Sequence, residues 1–127
     1  MATKKMTNLE IYAYADALMS AFTEDIKLPV KVNFYLQKNM TRFVEAAKDI
    51  EKARMEIIER YGTRTEDGEN IEVPAEKAET VNKELEDLFA LEQEMKVNEI
   101  ALDAFDGINL SSAQVAAISF MIKDEEE

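Results

Sequence analysis

Cysteine, histidine and tryptophan are absent from this chain of 127 residues, and glycine and proline occur only three times and twice. Without Cys there is no disulfide, no thiolate nucleophile and no thiolate metal site. Without His there is no Ser-His-Asp relay, no imidazole acid–base chemistry and no Glu-x-x-His pair with which a helical bundle holds two irons. These absences remove most routes to catalysis, so the expectation is a non-enzymatic binding protein with no catalytic residue, no metal and no cofactor. Scarce Gly and Pro, against seven Met and many Ala, Glu, Leu and Lys, favour helix and leave little room for long loops. No apolar run approaches the ~18 residues of a membrane span. The opening Met1-Ala2-Thr3-Lys4-Lys5-Met6-Thr7 leads into Leu9-Glu10-Ile11-Tyr12, which lacks the continuous apolar stretch of an export signal. A cytoplasmic protein that does not enter the membrane is expected.

The formal net charge is −12, and it is unevenly spread. Residues 1–60 hold ten Lys or Arg against nine acids, whereas residues 61–127 hold five against eighteen. The field of the acidic half opposes a duplex lying on a broad basic face, so direct duplex binding is disfavoured. A localised basic patch in the first half remains open.

The spacing predicts a single, mainly all-α domain over 1–127. A first amphipathic helix over about 8–22 opens at Thr7 or Asn8 and carries Ile11, Tyr12, Ala15, Leu18, Met19 and Phe22 at helical intervals. Pro29 sets a second start, and the pattern then runs unbroken to Tyr61, where Gly62 is expected to take a left-handed conformation. Along this long helix, over about 29–61, Leu36, Met40, Phe43, Ala47, Ile50, Arg54, Ile57 and Tyr61 repeat at coiled-coil spacing. A connector over about 62–73 turns at Asp67-Gly68 as a small β-hairpin. A second long helix over about 74–98 follows Pro74, with Val81, Leu85, Leu88, Glu92, Met95, Glu99 and Leu102 continuing the seam and Phe89 and Leu91 widening it. The two are expected to lie as a long antiparallel helical hairpin. A short extended stretch over about 99–106 has no evident partner strand. Ser111 with Gln114 then forms a capping box for a last helix over about 111–122, and the acidic tail to Glu127 is expected to fray.

Lys31, Tyr35, Lys38 and Arg42 recur at four, three and four along the long helix, placing three cations and a phenol on one side. With Phe34 as a stacking ring and Asn39 as an amide donor and acceptor, this stripe is the candidate site for a small anionic ligand such as a nucleotide. The competing reading is a solvated helix face whose charges pair with the acidic half. Arg54 falls in the apolar seam, where an unpaired guanidinium would cost several kcal/mol, so a structural ion pair with Glu84 or Asp87 is expected. Acid groups at Glu84-Glu86-Asp87 and Glu92-Glu94 read as solvated helix surface. Glu66-Asp67-Gly68-Glu69-Asn70 lacks the twelve-residue loop closed by Glu of a calcium hand.

Read in order, Lys27-Leu28-Pro29-Val30-Lys31-Val32 leading to Lys38-Asn39, Ala53-Arg54 leading to Arg60-Tyr61-Gly62, Glu66-Asp67-Gly68, Val73-Pro74-Ala75-Glu76-Lys77, Glu84-Leu85 with Leu88, and Leu110-Ser111 resemble a family of small helical proteins of unknown function. That family is encoded by tailed phages and prophages of Gram-positive bacteria. The resemblance implies a phage origin, a helical core with a hairpin, and no catalytic residues. It also implies a counter-defence role in the host cytoplasm, in which the protein sequesters a signalling nucleotide or blocks a host protein. Two alternatives stand beside it: an accessory of virion or tail assembly, and an acidic mimic of DNA that inhibits a nucleic-acid-binding enzyme. Since 46% of residues are apolar on thin helices, with Tyr12, Tyr14, Met19 and Phe22 on the first, a homo-oligomer is expected.

Overall fold

The computed structural model describes residues 1–23 and 26–123. Within them the protein is mainly helical with a few short strands. In order, they are β1 (Ala2–Thr7), α1 (Asn8–Ala21), α2 (Val30–Tyr61), β2 (Thr63–Arg64), β3 (Ile71–Glu72), α3 (Ala78–Ala90), β4 (Glu92–Val97), β5 (Ile100–Ala101), α4 (Ser112–Ile118) and β6 (Ile122–Lys123). The tail residues 124–127, expected to fray, lie outside the described part, as do Glu24 and Asp25.

Of the two candidate caps it is Thr7, not Asn8, that caps helix α1. The Thr7 hydroxyl accepts from the Glu10 backbone N–H at 3.1 Å, while Glu10 Oε1 accepts from the Thr7 backbone N–H at 2.9 Å, satisfying two donors that a helix start leaves open. Asn8 is buried instead. Its Nδ2 donates to the Leu88 carbonyl at 2.9 Å, its Oδ1 accepts from Gln93 Nε2 at 2.7 Å, and its N–H donates to the Leu91 carbonyl at 2.8 Å. Ile11, Ala15 and Leu18 turn inward from α1 to meet Val32, Leu36, Phe43 and Ile50 of α2 and Ala117, Ile118, Phe120 and Met121 near the C-terminal end. Tyr14, expected on an outer contact face, packs inward, its ring 4.6 Å from that of Phe120 and 6.5 Å from that of Phe43. Burying each large apolar side chain contributes about 1.5–3 kcal/mol.

Helix α2 runs the full 32 residues after Pro29, about 48 Å at 1.5 Å per residue. Gly62, however, has φ −109° and ψ 172°, which is extended backbone, not left-handed. Glycine is needed there because a Cβ would stand 2.5 Å from Ile71 Cγ2 and 2.9 Å from the Ile58 carbonyl oxygen. Beyond it, β2 and β3 pair antiparallel with Thr63 opposite Glu72 and Arg64 opposite Ile71. The turn passes through Gly68 at φ 74°, a conformation that suits glycine.

The second long helix expected over 74–98 does not form. Residues 75–77 make a 3-10 turn, α3 spans only 13 residues, and Leu91 leaves helical geometry at φ −63° and ψ 141°. The following residues form β4, paired antiparallel with β1 so that Ala2 faces Val97, Lys4 faces Met95 and Met6 faces Gln93. A continued helix would have kept Glu92 and Glu99 in the seam with Met95. As a strand the same segment buries Met95 and Val97 and turns Glu92, Glu94 and Lys96 outward. The extended stretch assigned to 99–106 is shorter than expected. Ile100–Ala101 pairs parallel with Ile122–Lys123, and residues 102–105 form a 3-10 turn. The last helix likewise ends at Ile118, with a 3-10 turn over Ser119–Met121 in place of a continuous helix to 122. Its capping box at Ser111 and Gln114 is made, and Gln114 Nε2 also donates to the Ala21 carbonyl at 3.0 Å, tying α4 to the end of α1.

Candidate functional site

The first three turns of α2 carry the candidate stripe. Its inward line is Val32, Leu36, Asn39 and Phe43, all buried. At about 100° per residue, Lys31, Tyr35, Lys38 and Arg42 occupy the flank beside that line, while Val30, Phe34, Gln37 and Thr41 point away from the core. Val30 is 87% exposed and Phe34 56%.

The structure divides the stripe into two ends of different character. Lys31 and Tyr35 line a groove of about 350 Å³ together with Glu99 and Asp103, and the Lys31 ammonium lies 5.6 Å from the centre of the Tyr35 ring. Two carboxylates in the wall make this end unsuited to an anion. Phe34, Lys38 and Arg42 line a shallow groove of about 320 Å³ with Gln37 and Thr41 and no carboxylate. There the Lys38 ammonium sits 5.5 Å from the centre of the Phe34 ring, close enough for cation–π attraction. Among the described residues none of Lys31, Lys38 and Arg42 forms an ion pair with an acid, whereas Lys4, Lys5, Arg54, Arg60, Arg64 and Lys83 all do. Of the competing reading, a solvated face whose charges pair with the acidic half, ion pairs at these three cations are not formed among the described residues, although Lys31 lies beside Glu99 and Asp103.

Asn39 is no ligand-binding amide on the surface. It is fully buried, its Nδ2 donating to the Asn98 carbonyl at 2.9 Å and lying 3.3 Å from the Met121 sulfur, its Oδ1 accepting from the Asn98 N–H at 2.8 Å. The helical period sends residue 39 inward because it falls three after Leu36 and four before Phe43, and its amide satisfies backbone groups of the turn that follows β4. Arg42 reaches the same turn. Its Nη1 donates to Asn98 Oδ1 and lies 3.4 Å from Asn39 Oδ1 and 3.5 Å from the Lys96 carbonyl oxygen.

The expected pairing of Arg54 with Glu84 or Asp87 is also corrected. Arg54 is one-third exposed, and its Nε and Nη2 form a bidentate pair with Glu51 one turn earlier, at 2.8 and 2.7 Å. Glu84 instead accepts from Arg60 at 2.9 Å, and Asp87 lies 3.6 Å from Lys83. The buried line of α2 passes through Ile50 and Ile57 alone in this region, so position 54 lies on a helix shoulder where a local partner is within reach. Glu51 also accepts from the Tyr12 hydroxyl at 3.2 Å. The Arg54 hydrogen bonds hold the Glu51 carboxyl below its ordinary value, and the bond to Glu51 holds the Tyr12 phenol above its own.

Asn98 through its side chain and Lys96 through its backbone carbonyl meet Arg42, and both fall outside the stripe read from the sequence. The alternation of Met95 and Val97 as inward residues marks strand β4, which carries Lys96 and leads into Asn98, but its partner is Ala2–Thr7, far away in sequence. Among the described residues no three metal-ligating side chains converge on a cation site, and no helix is long and apolar enough to cross a membrane. No protein family, curated protein or solved structure matches this chain.

Proposed function

We propose that the protein is a non-enzymatic binding protein that captures an anionic partner bearing an aromatic ring, of which a nucleotide is the simplest, on the groove formed by Phe34, Lys38 and Arg42. The observation that carries this reading is the groove itself. In a chain of net charge −12 it has two cations and an exposed ring in its walls and no acid. Phe34 offers a face for stacking, and the two cations offer charge-assisted hydrogen bonds.

The open side of the groove limits what one copy achieves, because exposed charges contribute little in water. Shielding by a second copy is therefore part of the proposal. Val30, Leu9, Leu91, Leu102 and Val115 are all more than half exposed, apolar surface that self-association would cover. The resemblance to phage proteins supports sequestration in the host cytoplasm as the purpose of such capture.

The test is calorimetric titration of linear and cyclic nucleotides into the protein at low salt, with light scattering for its mass. The joint variant Phe34→Ala, Lys38→Ala changes only exposed side chains, and circular dichroism should show an unchanged helix content. We expect binding by the parent and a loss of about tenfold or more in the variant, the size of one charge-assisted hydrogen bond plus the stacking contact. Absence of binding to the parent, or equal binding by both proteins, would overturn the reading.

A further inference from the structure

Arg42 differs from the arginines that make bidentate or single ion pairs elsewhere in the fold. One end of its guanidinium is held: Nη1 donates to Asn98 Oδ1 and lies near Asn39 Oδ1 and the Lys96 carbonyl oxygen. All three are neutral oxygens, so they orient the group without neutralising it. Among the described residues neither Nε nor Nη2 of Arg42 has a hydrogen-bond partner, and no carboxylate lies within ion-pair distance. No buried polar side-chain atom of the described residues is left without a partner, so these free nitrogens face solvent. An arginine fixed at one nitrogen, charged, and free along its other N–H edge is pre-organised for two parallel hydrogen bonds to one planar or tetrahedral oxyanion.

Strand β4 brings a further cation to the same place. Lys96 is exposed on the outward face of the β1–β4 ribbon, its carbonyl 3.5 Å from Arg42 Nη1, and it forms no ion pair among the described residues. Its flexible stem gives the ammonium reach towards an anion that Arg42 holds.

We propose that Arg42 is a phosphate-receiving fork, set by Asn39 and Asn98, and that Lys96 completes the site with Lys38, so that the ligand class is a phosphate ester or pyrophosphate. This rests on the anion-binding reading of the groove and names its specificity residue. A phosphate fits better than a carboxylate. Two of its oxygens can take both free N–H directions of Arg42 while the others, set tetrahedrally, remain for Lys38 and Lys96, whereas a carboxylate has only its two coplanar oxygens, both engaged by the fork, to share with the ammonium groups.

Inorganic pyrophosphate and ADP are the probes, titrated calorimetrically at low and moderate salt, with a short polyglutamate peptide as the carboxylate competitor. Arg42→Lys keeps the charge and removes the fork. We expect it to bind pyrophosphate about tenfold or more weakly, as loss of a charge-assisted bond requires, while Lys48→Gln, which removes an exposed cation elsewhere on α2, has little effect. Asn98→Asp places a carboxylate against Nη1. It should hold or raise the thermal midpoint while weakening both probes by about tenfold, a combination that a purely structural Arg42 would not produce. Lys96→Gln should weaken binding a few-fold and flatten its salt dependence. Arg42→Lys or Asn98→Asp binding like the parent would overturn the fork while leaving the groove as an anion site. Parent binding to polyglutamate but to neither phosphate probe would overturn the ligand class, and binding to none of the three would remove the groove reading on which it stands.

Discussion

The two halves of α2 have the same covalent helix and opposite roles. Between Val30 and Phe43 the helix is packed on one side at every turn, through Val32, Leu36, Asn39 and Phe43, and its cations on the flank have no acidic partner among the described residues. Between Val44 and Tyr61 only Ile50 and Ile57 are buried, one residue every two turns, and its arginines are bound to acids: Arg54 to Glu51 and Arg60 to Glu84. The packed half leaves its flank cations free, and the thinly packed half pairs its arginines, though Lys48 and Lys52 there form no ion pair among the described residues. The difference teaches that a cation's sequence neighbourhood does not decide its use. Arg54 finds an acid three residues away, whereas the surroundings of Arg42 are supplied by strand β4 and the turn after it.

The sharpest test of this contrast is cavity formation. Phe43 is fully buried between the rings of Tyr14 and Phe120, 4.6 Å from the latter, and Phe43→Ala should cost about 3–5 kcal/mol in urea unfolding. Ile57, 9% exposed in the thin half, should lose about 2 kcal/mol or less as Ala, near the lower bound for such truncations. Equal losses would break the comparison.

Next in size is Asn39→Leu. It removes the amide that both donates to and accepts from the Asn98 backbone, leaving two partly buried groups unpaired at about 1–3 kcal/mol together or somewhat more. Hydrogen exchange should rise at Asn98 while Ile57 stays protected. If exchange rises along all of α2 instead, the halves are one cooperative unit.

At the far end, Gly62→Ala must push Ile71 Cγ2 away from a Cβ built 2.5 Å from it, and also meets the Ile58 carbonyl. A loss of about 1–2 kcal/mol is expected from such overpacking, with the β2–β3 pairing disturbed and the groove at Phe34 still competent to bind. Loss of binding in this variant would show that the halves communicate.

The smallest effect concerns the paired charges. Glu51 titrates below its ordinary value of 4.5, chiefly through its Arg54 hydrogen bonds. A carboxyl depressed in the folded state contributes stability at pH above its unfolded value, and that contribution is lost as pH falls through the folded value. Because Glu51 is more than one-third exposed, Glu51→Gln should cost only about 0.5 kcal/mol or less at neutral pH. The difference from the parent should shrink on acidification from about 4.5 downward and vanish once Glu51 is protonated in both states. A difference that persists at low pH would point to packing of the Glu51 stem instead of its charge.

Local signals in the sequence account for a definite part of the molecule. The capping pairs Thr7 with Glu10 and Ser111 with Gln114, the helix start after Pro29, the Gly68 turn and the heptad spacing that buries Leu36, Phe43, Ile50 and Ile57 involve residues at most a few turns apart. Backbone preference and side-chain period act at that range, so one chain segment suffices to read them. The remainder depends on what a segment meets. Residues 92–97 carry both a helical seam through Glu92 and Met95 and an alternation through Met95 and Val97, and only the ladder offered by Ala2–Thr7 selects the strand. That choice brings Asn98 over Asn39 and Lys96 beside Arg42, and it places Glu99 and Asp103 against Lys31 and Tyr35. The cations of the stripe were therefore visible in the sequence, while the division between a groove with acids and one without was decided by tertiary structure, because electrostatic environment depends on distance in space and not along the chain.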